Sequence, residues 1–167
     1  MEESQSLGQL IDARHACISI VTHEEEHALA LIRRAATRAQ RDLMTWSVTY
    51  GIRDGLLDAE TARPDTEDPV NALHYLSRCT ERDIICTMVD LVGHLRNESV
   101  VRLLRDVINH FADTGSTVIL LDYRDEVPAV IADYATSFEP PLPDEREIEP
   151  LVTETVREFH RKRPVED

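Results

Sequence analysis

Lysine is almost missing from this chain: a single Lys162 stands against seventeen arginines. Glycine is scarce too, with only Gly8, Gly51, Gly55, Gly93 and Gly115. Together these shortages exclude a glycine-rich, lysine-bearing loop that wraps phosphates, because no segment holds both residue types at the required spacing. Positive charge as a whole is short, and the formal net charge is −14. That balance argues against sequence-independent nucleic-acid binding, which depends on neutralising phosphates, and against anionic membrane surfaces. No apolar run approaches the roughly 18 residues of a membrane span. The start Met1-Glu2-Glu3-Ser4 is acidic and lacks the apolar core of a secretory signal. Cysteine is limited to Cys17, Cys79 and Cys86, an odd number without metal-type spacing. With Cys17 and Cys86 inside apolar runs, the expectation is buried, reduced thiols in a cytoplasmic protein.

What is there suits one folded domain with room for a helical appendage. The chain has 167 residues, 42% of them hydrophobic and 30% charged. Strand-length apolar runs alternate with longer segments of helical period. Ala16 to Val21 reads as a first buried strand, and Leu31, Ile32, Ala35 and Ala39 as one face of a following helix. Thr22, followed three residues later by Glu25, is a capping-box pattern that predicts the helix start there. Leu43 to Tyr50 reads as a second strand, and Gly51 to Glu67 as a polar surface excursion. Asp68-Pro69 opens a helix, Asp as cap and Pro in the first turn. Ile84 to Val89 is a third strand. A long helix carrying Val100, Leu104, Val107, Ile108 and Phe111 closes near Gly115. Thr117 to Leu121 is a fourth strand, with a short helix after Pro128. Pro140, Pro141 and Pro143 break the chain, and Pro150 starts a terminal helix with Leu151, Val152, Val156 and Phe159 on its apolar face. This alternation predicts a mostly parallel sheet covered on both faces.

The turn after the first strand is where an open α/β sheet commonly holds a ligand. Here it reads Thr22-His23-Glu24-Glu25-Glu26-His27, with no glycine, no lysine and three acids. Carboxylates at that place would repel a nucleotide triphosphate.

Several segments resemble a known family. Leu10-Ile11-Asp12-Ala13-Arg14-His15 and Ile18 to Glu26 look like the start of a tandem AAA ATPase family. That family occurs as a hypothetical open reading frame of chloroplasts and cyanobacteria, with bacterial relatives. Met44 to Gly51, Asp68 to Leu73, Thr117 to Leu121 and the proline box Phe138 to Asp144 match in the same order, over nearly all of residues 7–160. The resemblance implies the degenerate N-terminal AAA-like domain that precedes an active second domain. It further implies a three-layer α/β fold with a mostly parallel five-stranded sheet, the first strand central, and a degenerate phosphate loop. By the same resemblance, Asp90 stands where a working domain binds magnesium, and Leu91 replaces its catalytic acid. Asp122 and Tyr123 then follow the fourth strand at the position of a polar sensor residue. With the loop gone, Asp90 and Asp122 are expected to be vestigial strand-end acids.

His23-Glu24-Glu25-Glu26-His27 also matches the H-E-x-x-H signature of zinc hydrolases, in which two histidines on one helix face share zinc and the glutamate activates water. His74, His94, His110 and His160 are too scattered to supply an obvious third ligand, and the motif begins directly after a buried strand. Trp46 reads as a core or interface residue. Arg33, Arg34 and Arg38 read as a solvated helix face, and Arg102 and Arg105 as surface ion-pair partners. No G-x-S-x-G nucleophile elbow occurs.

These readings lead to a non-catalytic interaction, assembly or regulatory module that needs no cofactor. It would comprise a core over 1–143, a helix over 144–160 leading to a lid or linker, and a disordered tail over 161–167. The expected partner is an AAA domain in the same chain or a like subunit, with no nucleic acid and no membrane. A zinc-dependent hydrolase built on His23, Glu24 and His27, and a small-molecule sensor at the strand ends near Asp90 and Asp122, stand as alternatives. The end of the chain, near the start of a helical lid, fits either an excised domain or a natural short form.

Overall fold

A computed structural model describes residues 2–56 and 61–141. The first helix, α1 (Glu2–Asp12), precedes every element read from the sequence. Then follow β1 (Cys17–Val21), α2 (Glu25–Ala39), β2 (Leu43–Ser47), β3 (Gly51–Asp54), α3 (Pro69–Ser77) and β4 (Ile85–Val89). A 3-10 turn at Val92–His94 leads to α4 (Glu98–Thr114), β5 (Thr117–Asp122), α5 (Ala129–Ala132) and β6 (Thr136–Phe138). The expected terminal helix over 144–160 and the tail over 161–167 lie outside the described residues. Among the described residues, no helix is long and apolar enough to cross a membrane.

The strands form one sheet in the order β3-β2-β4-β5-β1-β6. All neighbours are parallel except the β2–β3 pair. The fold class is as expected, but the sheet has six strands rather than five. The first strand is interior, flanked by β5 and β6, without lying at the centre.

Alternation along the strands sorts side chains to two cores, as the two-residue period of a strand requires. Cys17, Met44, Trp46, Cys86, Met88, Val118 and Leu120 join Leu73, Leu76, Leu104, Val107 and Phe111 of α3 and α4. Ile18, Ile20, Leu43, Ile85, Val89, Ile119 and Leu121 join Leu7 and Ile11 of α1 and Leu31, Ile32 and Ala35 of α2. Helices therefore cover both faces. Burial lifts the Cys17 and Cys86 thiols to about 12, which keeps them protonated and inert at neutral pH.

Three local readings are corrected. The strand expected to reach Tyr50 stops at Ser47, whose Oγ accepts the Thr49 N–H at 3.1 Å while its carbonyl accepts the Tyr50 N–H. The chain then turns through Gly51, at φ 77°, and returns as β3, so the surface excursion begins with an antiparallel strand. An added Cβ at Gly51 would lie 2.5 Å from Thr66 Oγ1, so this close approach needs glycine. Finally, Thr22 is not the cap of α2. Its hydroxyl accepts the Glu24 N–H at 3.0 Å, and the helix begins at Glu25 without a side-chain cap.

Other termini follow the sequence rules. Asp68 caps α3 by accepting the Val70 N–H at 2.8 Å, with Pro69 in the first turn. Gly115 ends α4 in the left-handed conformation at φ 71°.

At the N-terminal edge of the sheet, Arg41 is buried at 8% exposure. Its guanidinium donates to the carbonyls of Ile11 (3.0 Å), Asp83 (2.9 Å), Ile84 (3.1 Å) and Gly115 (2.9 Å). It also reaches Thr117 Oγ1 at 3.3 Å. One side chain thus ties α1 to the starts of β4 and β5. Outside it, Arg14 pairs with Asp83.

Candidate functional site

Parallel register brings the C-terminal ends of three strands together. Val21 of β1 lies opposite Asp122 of β5, and Val89 of β4 opposite Leu121. The segments leaving these strands line a crevice of about 260 Å³, formed by Thr22, His23, Glu25, Asp90, Leu121, Asp122 and Tyr123. This is the strand-end position expected for a ligand in an open α/β sheet.

The acids in the crevice do different things. Asp122 is buried at 4% exposure, and both its oxygens are engaged. Oδ2 accepts the Val92 N–H at 3.1 Å and Oδ1 the Arg124 N–H at 3.0 Å. It fixes the 3-10 turn to the end of β5, a structural task with no oxygen left over. Asp90 is exposed, and its backbone is left-handed at φ 59°. Its N–H donates to the Leu121 carbonyl at 3.0 Å, while among the described residues no donor engages its carboxylate. Partial desolvation and the Asp122 charge raise its pKa above the ordinary aspartate range, with Arg124 opposing. Glu25 is raised for the same reasons: desolvation first, then Asp90 and Glu26. Leu91, where a working domain is expected to keep its catalytic acid, is completely buried.

Aromatic rings flank the acids. Tyr123 is 46% exposed, with its ring centroid 6.4 Å from that of His23. The Arg124 guanidinium lies 4.8 Å from the Tyr123 ring centroid, and its Nη1 would sit 2.7 Å from a Cβ placed on Gly93. Arg124, whose charge acts on Asp90, is a basic side chain of this site that the sequence reading did not single out. Its signal is its position two residues after a strand-end aspartate.

The H-E-x-x-H residues do not share a helix. His23 precedes the first residue of α2 by two positions, whereas His27 lies within its first turn. A common face for two histidines requires both on the helix. The His27 Nε2 atom is buried and has no hydrogen-bond partner among the described residues. Among the described residues, no group of three or more His, Cys, Asp or Glu side chains converges on a point that could hold a metal ion. Glu24 and Glu26 are exposed beside Glu25. Elsewhere, Trp46 is a core residue at 0% exposure, and Arg102 pairs with Asp106 at 3.3 Å on the surface of α4.

Known proteins are similar to this chain in sequence or in fold. The chain is 26% identical over 141 residues to the uncharacterized AAA domain-containing protein ycf46 of Guillardia theta, covering 83% of this chain and 27% of that protein. It is 25% identical over 167 residues to the protein of the same name from Trieres chinensis, covering 96% and 32%. The chain therefore spans about a third of the length of these relatives. Among solved structures, a DNA replication initiation factor superposes with a TM-score of 0.55 at 12% identity, covering 96% of this chain and 52% of that one. The replication initiator DnaA bound to AMPPCP and single-stranded DNA gives 0.53 at 13%, covering 95% and 50%. At such identities these two likenesses speak to the fold alone. A family model described as the N-terminal domain of SpoVK-like AAA ATPases matches residues 3–140, and the chain belongs to that family.

Proposed function

We propose that this domain is a non-catalytic interaction and regulatory module of an AAA protein, without ATP hydrolysis of its own. The observation that carries this reading is the charge at the strand-end crevice. Phosphates need backbone N–H groups opened by glycine, together with a cation. The turn after β1 instead offers Glu24, Glu25 and Glu26; Glu25 and Asp90 line the same crevice, where desolvation and then the charge of Asp90 hinder ionisation of Glu25. The residues present do not fit a magnesium–triphosphate complex. A partner presenting a basic side chain relieves the repulsion, and a neighbouring AAA domain or a like subunit is the partner this reading favours. The buried reduced thiols are consistent with a cytoplasmic setting.

Titration of the full chain with ATP and magnesium, read by calorimetry, tests the proposal. The expected result is no binding tighter than about 100 μM, equivalent to about 5.5 kcal/mol. Tighter binding by the unaltered chain, with Glu24, Glu25 and Glu26 in place, sinks the reading. The crevice also supports a second reading, a sensor of small cationic ligands. A thermal-shift screen against amines and guanidines, with Asp90→Asn as control, separates a sensor from a protein contact.

A further inference from the structure

A second concavity lies on the other side of the 3-10 turn and shares no lining residue with the crevice. It measures about 530 Å³, within the range of sites that hold ligands of a few residues. Its apolar surface comes from Val48, Pro69, Val70 and Val100. Val48 is half exposed although it directly follows a buried strand. The segment before α3 adds Glu67, and the link into α4 adds His94 and Arg96. Neither Glu67 nor Arg96 makes an ion pair with another described residue. The groove is thus lined by a segment bearing an acid, by apolar side chains and by a segment bearing a base.

Its walls are held in place by the core. Trp46 Nε1 donates to the Thr66 carbonyl at 2.7 Å, and Thr66 Oγ1 accepts the Ile52 N–H at 2.8 Å. The acidic side is therefore fastened to β2 and β3. On the basic side, the His94 ring meets Trp46 edge-on at 6.3 Å, and Asn97 caps α4 by accepting the Ser99 N–H at 2.9 Å. Fixed walls lower the ordering cost of binding.

We propose that this groove docks a short extended segment of a partner protein that carries an apolar side chain between a basic and an acidic residue. The apolar side chain covers Val48 and Val70. The basic residue faces Glu67, and the acidic residue faces Arg96, where the positive end of α4 adds to the attraction. The charge order of the groove selects this occupant: a purely apolar segment leaves both rims unmatched, and a uniformly charged one opposes one of them. The proposal is independent of the reading of the crevice.

The test is an array of eight-residue peptides containing one arginine, one leucine and one glutamate in every order and spacing, probed with the labelled full chain. The expected result is enrichment, at least tenfold over scrambled controls, of peptides with leucine between the two charges. Val48→Glu is expected to abolish the enrichment. The double variant Glu67→Arg with Arg96→Glu is expected to bind the reversed charge order when the peptides are fixed in direction by attachment at one end. Circular dichroism verifies folding, and all three positions are exposed. Equal binding of all orders, or enrichment that survives Val48→Glu, overturns the proposal. Concentration-dependent dimers in sedimentation velocity, lost in Val48→Glu, also overturn it by assigning the groove to a second copy of the chain.

Discussion

At the N-terminal ends of the strands one buried cation, Arg41, has four carbonyls and a hydroxyl around it. At the C-terminal ends Glu25, Asp90 and Asp122 surround an open crevice, and only Asp122 has both oxygens engaged. The cation at the first end is answered internally, whereas of the acids at the second end only Asp122 is. A buried charge without partners is costly, whereas an exposed one is tolerated through solvent screening. The contrast separates charge that serves the fold's own cohesion from charge that the described residues leave unanswered, which the proposed function assigns to an outside partner.

Removing Arg41 gives the largest expected effect. Arg41→Ala removes the hydrogen bonds that join α1 to the starts of β4 and β5 and empties a buried site, and the expected loss is about 3–5 kcal/mol in urea unfolding followed by circular dichroism. Arg41→Lys is expected to recover little, because an ammonium cannot reproduce the planar fork. A loss below about 1 kcal/mol for Arg41→Ala would erase the distinction between the two ends.

Asp122 sharpens the comparison, since it is the one crevice acid assigned to structure. Asp122→Ala frees the Val92 and Arg124 N–H groups, and an expected cost of about 2 kcal/mol should separate it from its neighbours. Gly115→Ala comes next, at about 1 kcal/mol, because the residue is held at φ 71°. Its new Cβ would meet Arg14 Nη1 and Asp83 Oδ1, both on exposed side chains able to move.

The smallest effects belong to Glu25 and Asp90, and they carry the opposite sign. Their folded-state pKa values are raised above 4.5 and 3.8, so the folded protein holds more protons than the unfolded one just above those values. Stability from this source is greatest below the ordinary carboxylate pKa and declines as pH rises through the raised values. Glu25→Gln and Asp90→Asn are therefore expected to stabilise at pH 7 by up to about 0.5 kcal/mol, screening at these exposed sites keeping the gain small. Both should flatten the decline in stability as pH rises above the ordinary carboxylate values, seen as melting temperature against pH. A destabilised Asp90→Asn would show that this carboxylate belongs with Asp122 as a structural group.

Much of the fold was legible where local chemistry decides it. Asp68-Pro69 and Gly115 marked helix ends because a cap, a ring and a left-handed backbone act within a few residues. β3 was hidden because Gly51-Ile52-Arg53-Asp54 offers one apolar side chain, and the strand depends on pairing with β2 and on Thr66, fourteen residues from Ile52. Arg41 gave no sign of burial, since its acceptors are 30 to 76 residues away. The acidic turn was readable as a turn. Its meeting with Asp90 and Asp122 depends on a strand order that periodicity does not contain, and only the family resemblance pointed to it.

The strand order also sets a timetable for synthesis. Of the six strands described, β1 leaves the ribosome first, yet its neighbours are β5 and β6, the last two of the six. Strands β2, β3 and β4 can pair with one another while β1 waits for residue 117 and beyond. Any pause between β4 and β5 therefore exposes Ile18 and Ile20 with no sheet to join, and makes that interval the moment when a growing chain most needs protection from its neighbours.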